Sequence, residues 1–271
     1  MPTLARRLGL LTTAFALLVL LLPAAVSAAD DTSSEAVTAA ESRVLTLINQ
    51  ERTERGLVAL RLDTRLATIA GKRASYMAST GIFSHTEKDG TNVFDRISDA
   101  GIKWYGAGEI IAWNTAGDLQ ASASYATQAW MGSSGHKAII LSKDYNYVAF
   151  GLAIGSNGRR YWAGVFLKGP DRTGAWSSIS SVGKAALTTA KVRATIKWTG
   201  ADTKLQVLTA GLRDYGVQYR RDDTSTWTSL GTMTSTSVAR DLWRGHTYEF
   251  RIRARDKSGN WGAWKTTTVT P

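Results

Sequence analysis

The sequence contains no cysteine and only three histidines in 271 residues. Without cysteine there is no disulfide framework and no thiol chemistry, so stability has to come from buried cores. Imidazole chemistry is confined to His85, His136 and His246. A Gly-x-Ser-x-Gly elbow, a His-Glu-x-x-His helix and a Ser-His-Asp order are all missing, which removes the familiar protease and esterase signatures. Long apolar runs are scarce too. Just one stands out, Leu8 to Leu22, with Arg6 and Arg7 before it and Pro23 and a small-residue run ending at Ala28 after it. That order is the n-region, h-region and cleavage site of an export signal, so residues 1–28 are expected to be a signal peptide cleaved after Ala28. A retained span would need about 20 apolar residues. The mature chain is expected to have no transmembrane span and to be secreted, extracellular or cell-surface associated.

What is present suits folded material. The composition is 44% hydrophobic and 20% charged, and the length after cleavage accommodates one large domain or two ordinary ones. The formal charge is +11, of which the leader arginines account for two. A cationic exported protein has wall polymers and anionic lipid surfaces as its commonest polyanionic neighbours. Nucleic acid is not expected as a partner. The basic residues are scattered, with short clusters such as Arg220-Arg221 and Arg251, Arg253, Arg255, and no helix-turn-helix, zinc-finger or RNP pattern accompanies them.

Two periodicities divide the chain. Val37, Ala40, Val44, Leu47 and Ile48 recur at helical spacing. Asp63 is placed to cap a second helix striped by Leu66, Ile69, Ala70, Ala74 and Met77, which Gly81 ends. A short helix over Val93 to Asp99 and a longer one from about Leu119 to Met131, with Ala123, Ala126 and Trp130 inward, follow. Tyr147 to Ile154 and Tyr161 to Leu167 then read as two strands around the turn GSNGRR. Helices covering an antiparallel hairpin predict an α+β domain over residues 37–168. The polar, turn-rich stretch GPDRTGAWSSISSVG predicts a linker over 169–183. In residues 184–271 the period becomes two: Val192, Ala194, Ile196, Trp198; Tyr215, Val217, Tyr219; and Tyr248, Phe250, Ile252, Ala254. Turn signals between them predict an all-β sandwich without helix.

That second segment resembles a fibronectin type III module. Trp198 stands at the family's core tryptophan, Leu242 precedes Tyr248 by six residues as ahead of its tyrosine corner, and FRIRARDKSGNWGAW looks like its sixth strand and following turn. The resemblance implies a binding or spacer module. Trp198 is core by alternation, whereas Trp243, Trp261 and Trp264 lie in or near turns and are the surface candidates for carbohydrate or wall polymer.

Polar chemistry in the first domain concentrates at His85 in FSHTEKDG, Glu109 in GAGEIIA and His136 in WMGSSGHKAIIL. Two imidazoles and a carboxylate suffice for a zinc-type set with one position left for water, but 24 and 27 residues separate them, so only the fold can join them. The plain readings are a loop histidine for His85, a capping or packing role for His136 and exposure for His246. Glu109 is the exception, because a carboxylate entering an apolar strand costs several kcal/mol unless paired. It demands a partner.

Taken in order, LINQERTERGLVALRLDTRLATIAGKRASYMASTGIFSH, DGTNVFDRISDAGI, GAGEIIA, AWMGSSGHKAIIL and YWAGVFL resemble the bacterial branch of the CAP superfamily, the cysteine-rich secretory, antigen 5 and pathogenesis-related 1 proteins. The resemblance implies an α-β-α sandwich with a groove where His and Glu residues converge, occupied by metal or lipid in some members. It places His85, Glu109 and His136 in that groove. The second groove glutamate falls on Ser133, and asparagines of the pattern fall on Ile110 and Ile139, which carry no hydrogen-bonding group. The leading expectation is therefore a secreted ligand-binding protein, with zinc or another divalent cation at His85 and His136 and Glu109 orienting an imidazole. One alternative is a hydrolase of extracellular peptide, amide or ester substrates with His85, Glu109 and His136 catalytic. Another is a non-enzymatic module binding cell-wall polymer, glycan or lipid.

Overall fold

The structure, a computed structural model, describes residues 33–271; the leader reading at residues 1–28 lies outside the described residues. The first helix, α1 (Ser34–Thr53), starts at Ser33, whose side chain accepts from the Ala36 amide. Its buried face, Ala40, Val44 and Ile48, is the one the spacing predicts. After β1 (Arg61–Leu62), Asp63 caps α2 (Thr64–Thr80), and Gly81 ends it at φ 72°, in the left-handed region where a side chain would be strained. Asn92 and Asp95 form a reciprocal capping box at the start of α3 (Val93–Asp99). Then come β2 (Gly106–Asn114), α4 (Leu119–Gly132), a separate short α5 (Ser134–Ile140), β3 (Tyr147–Ile154) and β4 (Arg160–Lys168).

The four strands form one sheet in the order β1-β3-β4-β2, with β1 parallel to β3 and the other pairs antiparallel. Helices cover both faces. Ile110, Val148, Phe150, Trp162 and Phe166 share a core with α1 and α4, and Tyr147, Ala149, Val165 and Leu167 share another with α2 and α3. Burial on both faces explains why β3 and β4 read as nearly unbroken apolar runs rather than alternating ones. At the crossing of α2 over β3, a Cβ on Gly151 would stand 2.2 Å from the Ala70 carbonyl carbon, so the helix can lie there only over a glycine. The fold is an α-β-α sandwich.

Residues from Trp176 onward build a second unit of seven strands: β5 (Trp176–Ala186), β6 (Lys191–Ala201), β7 (Leu212–Arg221), β8 (Thr228–Met233), β9 (Ser237–Trp243), β10 (Tyr248–Asp256) and β11 (Lys265–Val269). They pair as β11-β10-β7-β8 and β5-β6-β9 around Trp198, Tyr215, Val217, Phe250 and Ile252. The alternation of β10 is complete, with every second residue from Tyr248 to Asp256 buried. No helix occurs among the described residues of this unit, and the α+β plus β-sandwich architecture agrees with the periodicities.

The linker differs from its sequence reading. Only residues 169–175 lack secondary structure, and the serine-rich half of 169–183 pairs with β6 along its length. β5 is an edge strand whose residues are mostly exposed, with Ser177 at 3% exposure turned inward, so its polar composition hides a strand. The two units are also tied by the β6–β7 loop, residues 202–211. Its Leu205, 2% exposed, joins the α2-side core of the first unit. Gln206 Oε1 accepts from the Val58 amide at 2.8 Å and from Arg52 at 3.4 Å, and Asn146 donates to the Val207 carbonyl at 3.3 Å.

Candidate functional site

Glu109 lies on β2, the edge strand, opposite Val165. Strand alternation sends its side chain toward α2, while Ile110 beside it turns into the α1/α4 core. The partner that a buried carboxylate requires is Arg73. Arg73 sits on the buried face of α2, between Ala70 and Met77, and is fully buried. Its Nε donates to Glu109 Oε1 at 2.7 Å, Nη1 to Glu87 Oε1 at 2.9 Å and Nη2 to the Ser84 carbonyl at 2.7 Å. Arg96, on α3, closes the far end by donating from Nε to Glu87 Oε1 at 2.8 Å. Burial opposes the charge on Arg73, but the two carboxylates outweigh it and hold its pKa above the ordinary value. Burial likewise opposes ionisation of Glu87, and Arg96 and Arg73 overcome it, so its pKa lies below the usual 4.5.

This network fixes His85. The loop after α2 is held on either side of it, by Arg73 at the Ser84 carbonyl and by Arg73 and Arg96 at Glu87. Glu109 Oε2 meets His85 Nδ1 at 2.7 Å, while 56% of the imidazole side chain stays exposed. A carboxylate at Nδ1 favours the tautomer with its proton there, which leaves Nε2 with a lone pair directed away from Glu109. Ser84 Oγ accepts from the Thr86 amide at 3.1 Å.

His136 comes from the other side of the edge strand. It lies half-buried in α5, which packs over Gly108, where an added Cβ would stand 2.9 Å from the Tyr145 hydroxyl and 3.3 Å from Ile139. Burial, and secondarily the charge of His85, push its pKa below 6.5, so the ring is neutral near pH 7. Ser133, at the position of the missing carboxylate, is the N-cap residue of α5 and makes no side-chain capping bond. His246 is remote, in the second unit, 3.2 Å from Asp222.

Sequence reasoning missed Arg73 and Glu87. A signal for Arg73 existed: it continues the α2 stripe at three residues from Ala70 and four from Met77, and a charge on a core stripe implies a buried counter-charge. A third missed feature lies at the junction of the two units. Asp171, Asp202 and Asp256 place carboxylate oxygens within 4.8 Å of one another, the one such group of three among the described residues, and these could hold a divalent cation. Their oxygens accept from the Ala210, Gly211 and Asn260 amides. Burial, opposed by the Ala210 and Thr173 amides and reinforced by the other two aspartates, raises the Asp171 pKa.

Glu87 sets an acid limit on the first unit. Its folded pKa lies below its unfolded one, so its stabilisation is complete above about pH 4.5 and is lost as pH falls through the folded value. In Glu87→Gln the decline of melting temperature from pH 5 to pH 3 is expected to be shallower than in the parent chain; parallel curves would show that Glu87 does not couple folding to acid.

The profile of the Cysteine-rich secretory protein family matches residues 45–166. The chain is 30% identical over 149 residues to the uncharacterized membrane protein YlbC of Bacillus subtilis (strain 168), covering 55% of this chain and 40% of that protein. It is 30% identical over 131 residues to the uncharacterized protein YkwD of the same organism, covering 48% and 49%. It therefore spans about half or less of each curated relative it matches. Among solved structures, an outer surface protein from Borrelia burgdorferi is 20% identical with a TM-score of 0.44, covering 49% of this chain and 94% of that one. An extracellular SCP-domain protein from Bacillus anthracis str. Ames gives 20% and 0.43, covering 50% and 44%. No helix among the described residues is long and apolar enough to cross a membrane. With the family profile spanning the helices and strands that carry His85, Glu109 and His136, residues 45–166 form a CAP/SCP-like domain.

Proposed function

We propose that this is an exported, extracellular binding protein whose CAP-like domain takes its ligand at the free edge of β2, between His85 and His136. The observation that carries this reading is the 2.7 Å contact of His85 Nδ1 with a Glu109 locked from behind by Arg73. Arg73 and His85 occupy both carboxylate oxygens, so Glu109 acts as a positioning residue and not as a base toward a substrate. That counts against the hydrolase alternative in the form that uses Glu109 as the general base. The neutral His136 and the Nε2 of His85 supply two imidazole donors suited to a zinc-class cation or to a ligand hydroxyl. The second unit, with Trp198 in its core and the Tyr248 hydroxyl accepting from the Trp243 amide at 3.2 Å, is proposed as a fibronectin type III-like spacer or binding module.

The test is calorimetric titration of zinc into the metal-stripped mature chain at neutral pH. One saturable site is expected, lost in a His85→Ala, His136→Ala protein and kept in Asp202→Asn, which alters the junction aspartates instead. The opposite pattern would move the cation to the junction, and equal binding in all three would remove the metal from the histidine groove.

A further inference from the structure

The outer face of the β11-β10-β7-β8 sheet carries a ladder of arginines and tryptophans. Arg251, Arg253 and Arg255 occupy alternate outward positions of β10, and Arg220 extends the row from β7. Arg220 and Arg251 lie 4.7 and 4.0 Å from the centre of the Trp227 ring. Arg251 and Arg253 lie 4.5 and 4.4 Å from that of Trp264, and Arg253 and Arg255 lie 4.3 and 4.5 Å from that of Trp261. Gly216 makes room: a Cβ there would come within 3.2 Å of the Trp261 ring.

Charge along the ladder is uneven. The end members are neutralised, Arg220 by Glu249 and Arg255 by Asp214 at 2.6 Å. The central pair is not: Arg251 donates from Nε and Nη2 to the neutral Gln218 at 2.8 and 2.5 Å, Arg253 Nε is buried without a hydrogen-bond partner, and neither arginine forms a carboxylate ion pair among the described residues, so their remaining Nη groups carry the uncompensated charge. Burial, followed by the like charges of Arg253 and Arg220, lowers the pKa of Arg251. Two neighbours on one face of a strand stand about 7 Å apart, two residues along the rise. Each indole already lies between two guanidinium groups, so sugars and bases find little open ring face for stacking. What the ladder offers is N–H groups, and Glu249 and Asp214 show that its guanidinium groups take oxyanions.

We propose that this face binds an extended polyol-phosphate strand, a polymer of phosphodiesters joined by short aliphatic spacers, with successive phosphates on Arg251 and Arg253. The permanent charge of a phosphodiester answers the uncompensated pair, and a spacer without rings suits a face with its indoles already covered. This inference is independent of the histidine groove.

The test is titration of poly(glycerol phosphate) into the mature chain at several salt concentrations. In Arg251→Met, Arg253→Met, affinity at low salt is expected to fall at least tenfold and the salt dependence to flatten, because fewer counterions are released. Lys184→Gln, Lys197→Gln, which removes the same charge from the other sheet, is expected to change affinity less than twofold. Glu249→Gln frees Arg220 and is expected to tighten binding, which keeps the proposal testable if the double arginine variant fails to fold. No binding by the parent chain, equal losses in the two double variants, or no gain in Glu249→Gln would overturn it. So would equal or tighter binding of oligo-dT or polyglutamate matched in charge.

Discussion

Replacing Arg73 with methionine is expected to destabilise the first domain by about 3–5 kcal/mol, the cost of breaking a buried ion pair from one side. Arg73 is fully buried and bridges two carboxylates that are themselves nearly so, Glu109 at 7% and Glu87 at 7% exposure. Methionine fills the volume but leaves Glu109 with a half-exposed imidazole as its remaining partner. Glu87 keeps Arg96, so the larger penalty falls on Glu109. The pH response identifies the cause. With the cation gone, protonation of a stranded carboxyl relieves the site, so the deficit relative to the parent should shrink as pH falls from 7 to 5. Chemical denaturation of both chains at the two pH values measures this. A deficit independent of pH would assign the loss to packing, and a loss under about 1 kcal/mol would mean that solvent already reaches the pair. Because Arg73 also holds the Ser84 carbonyl, zinc affinity at His85 is expected to fall even where the variant is folded.

The difference between what the sequence announces and what it conceals is physical. α2 was legible because its stripe, its Asp63 cap and its Gly81 stop are local facts. Glu109 was legible as a residue in need of a partner, but its partner stands 36 residues earlier on another element, and distance along the chain carries no pairing information. The CAP resemblance brought His85, Glu109 and His136 forward and stayed silent on Arg73 and Glu87. The pattern's asparagine falls on Ile110, which carries no hydrogen-bonding group to offer Glu109. The strand instead turns Ile110 into the opposite core, and Glu109 draws on a charged network. Trp261 and Trp264 read as exposed platforms because they flank turns, yet both are half-buried between arginines that belong to a neighbouring strand. β5 was hidden for the reverse reason: an edge strand with one shallow buried face needs few apolar residues. The β6–β7 loop gave no sign of docking, since a single leucine among polar residues has no periodicity.

Leu205 makes that loop testable. It is expected that Leu205→Asp detaches the β-sandwich from the CAP-like domain while both remain folded. The side chain occupies the same core as Ile102, Tyr147 and Leu167, and an unpaired carboxylate there costs several kcal/mol. The flanking contacts are few and partly exposed: Gln206 with Val58 and Arg52, Val207 with Asn146, and Asn260 with the Asp171 carbonyl at 3.0 Å. Arg52 would feel the loss as well. It is fully buried, burial lowers its pKa to about 10, and it spans the carbonyls of Val58, Ile140 and Ser142 besides Gln206. Undocking admits water to its Gln206 side and leaves its bonds within the first domain intact. The expected signature is one thermal transition becoming two, a larger radius of gyration in solution scattering, and new protease cleavage in residues 169–175. A single transition with unchanged scattering would show that the polar contacts hold the units together without the leucine. In that case the junction aspartates, tied to the same loop through Ala210 and Gly211, become the next place to cut.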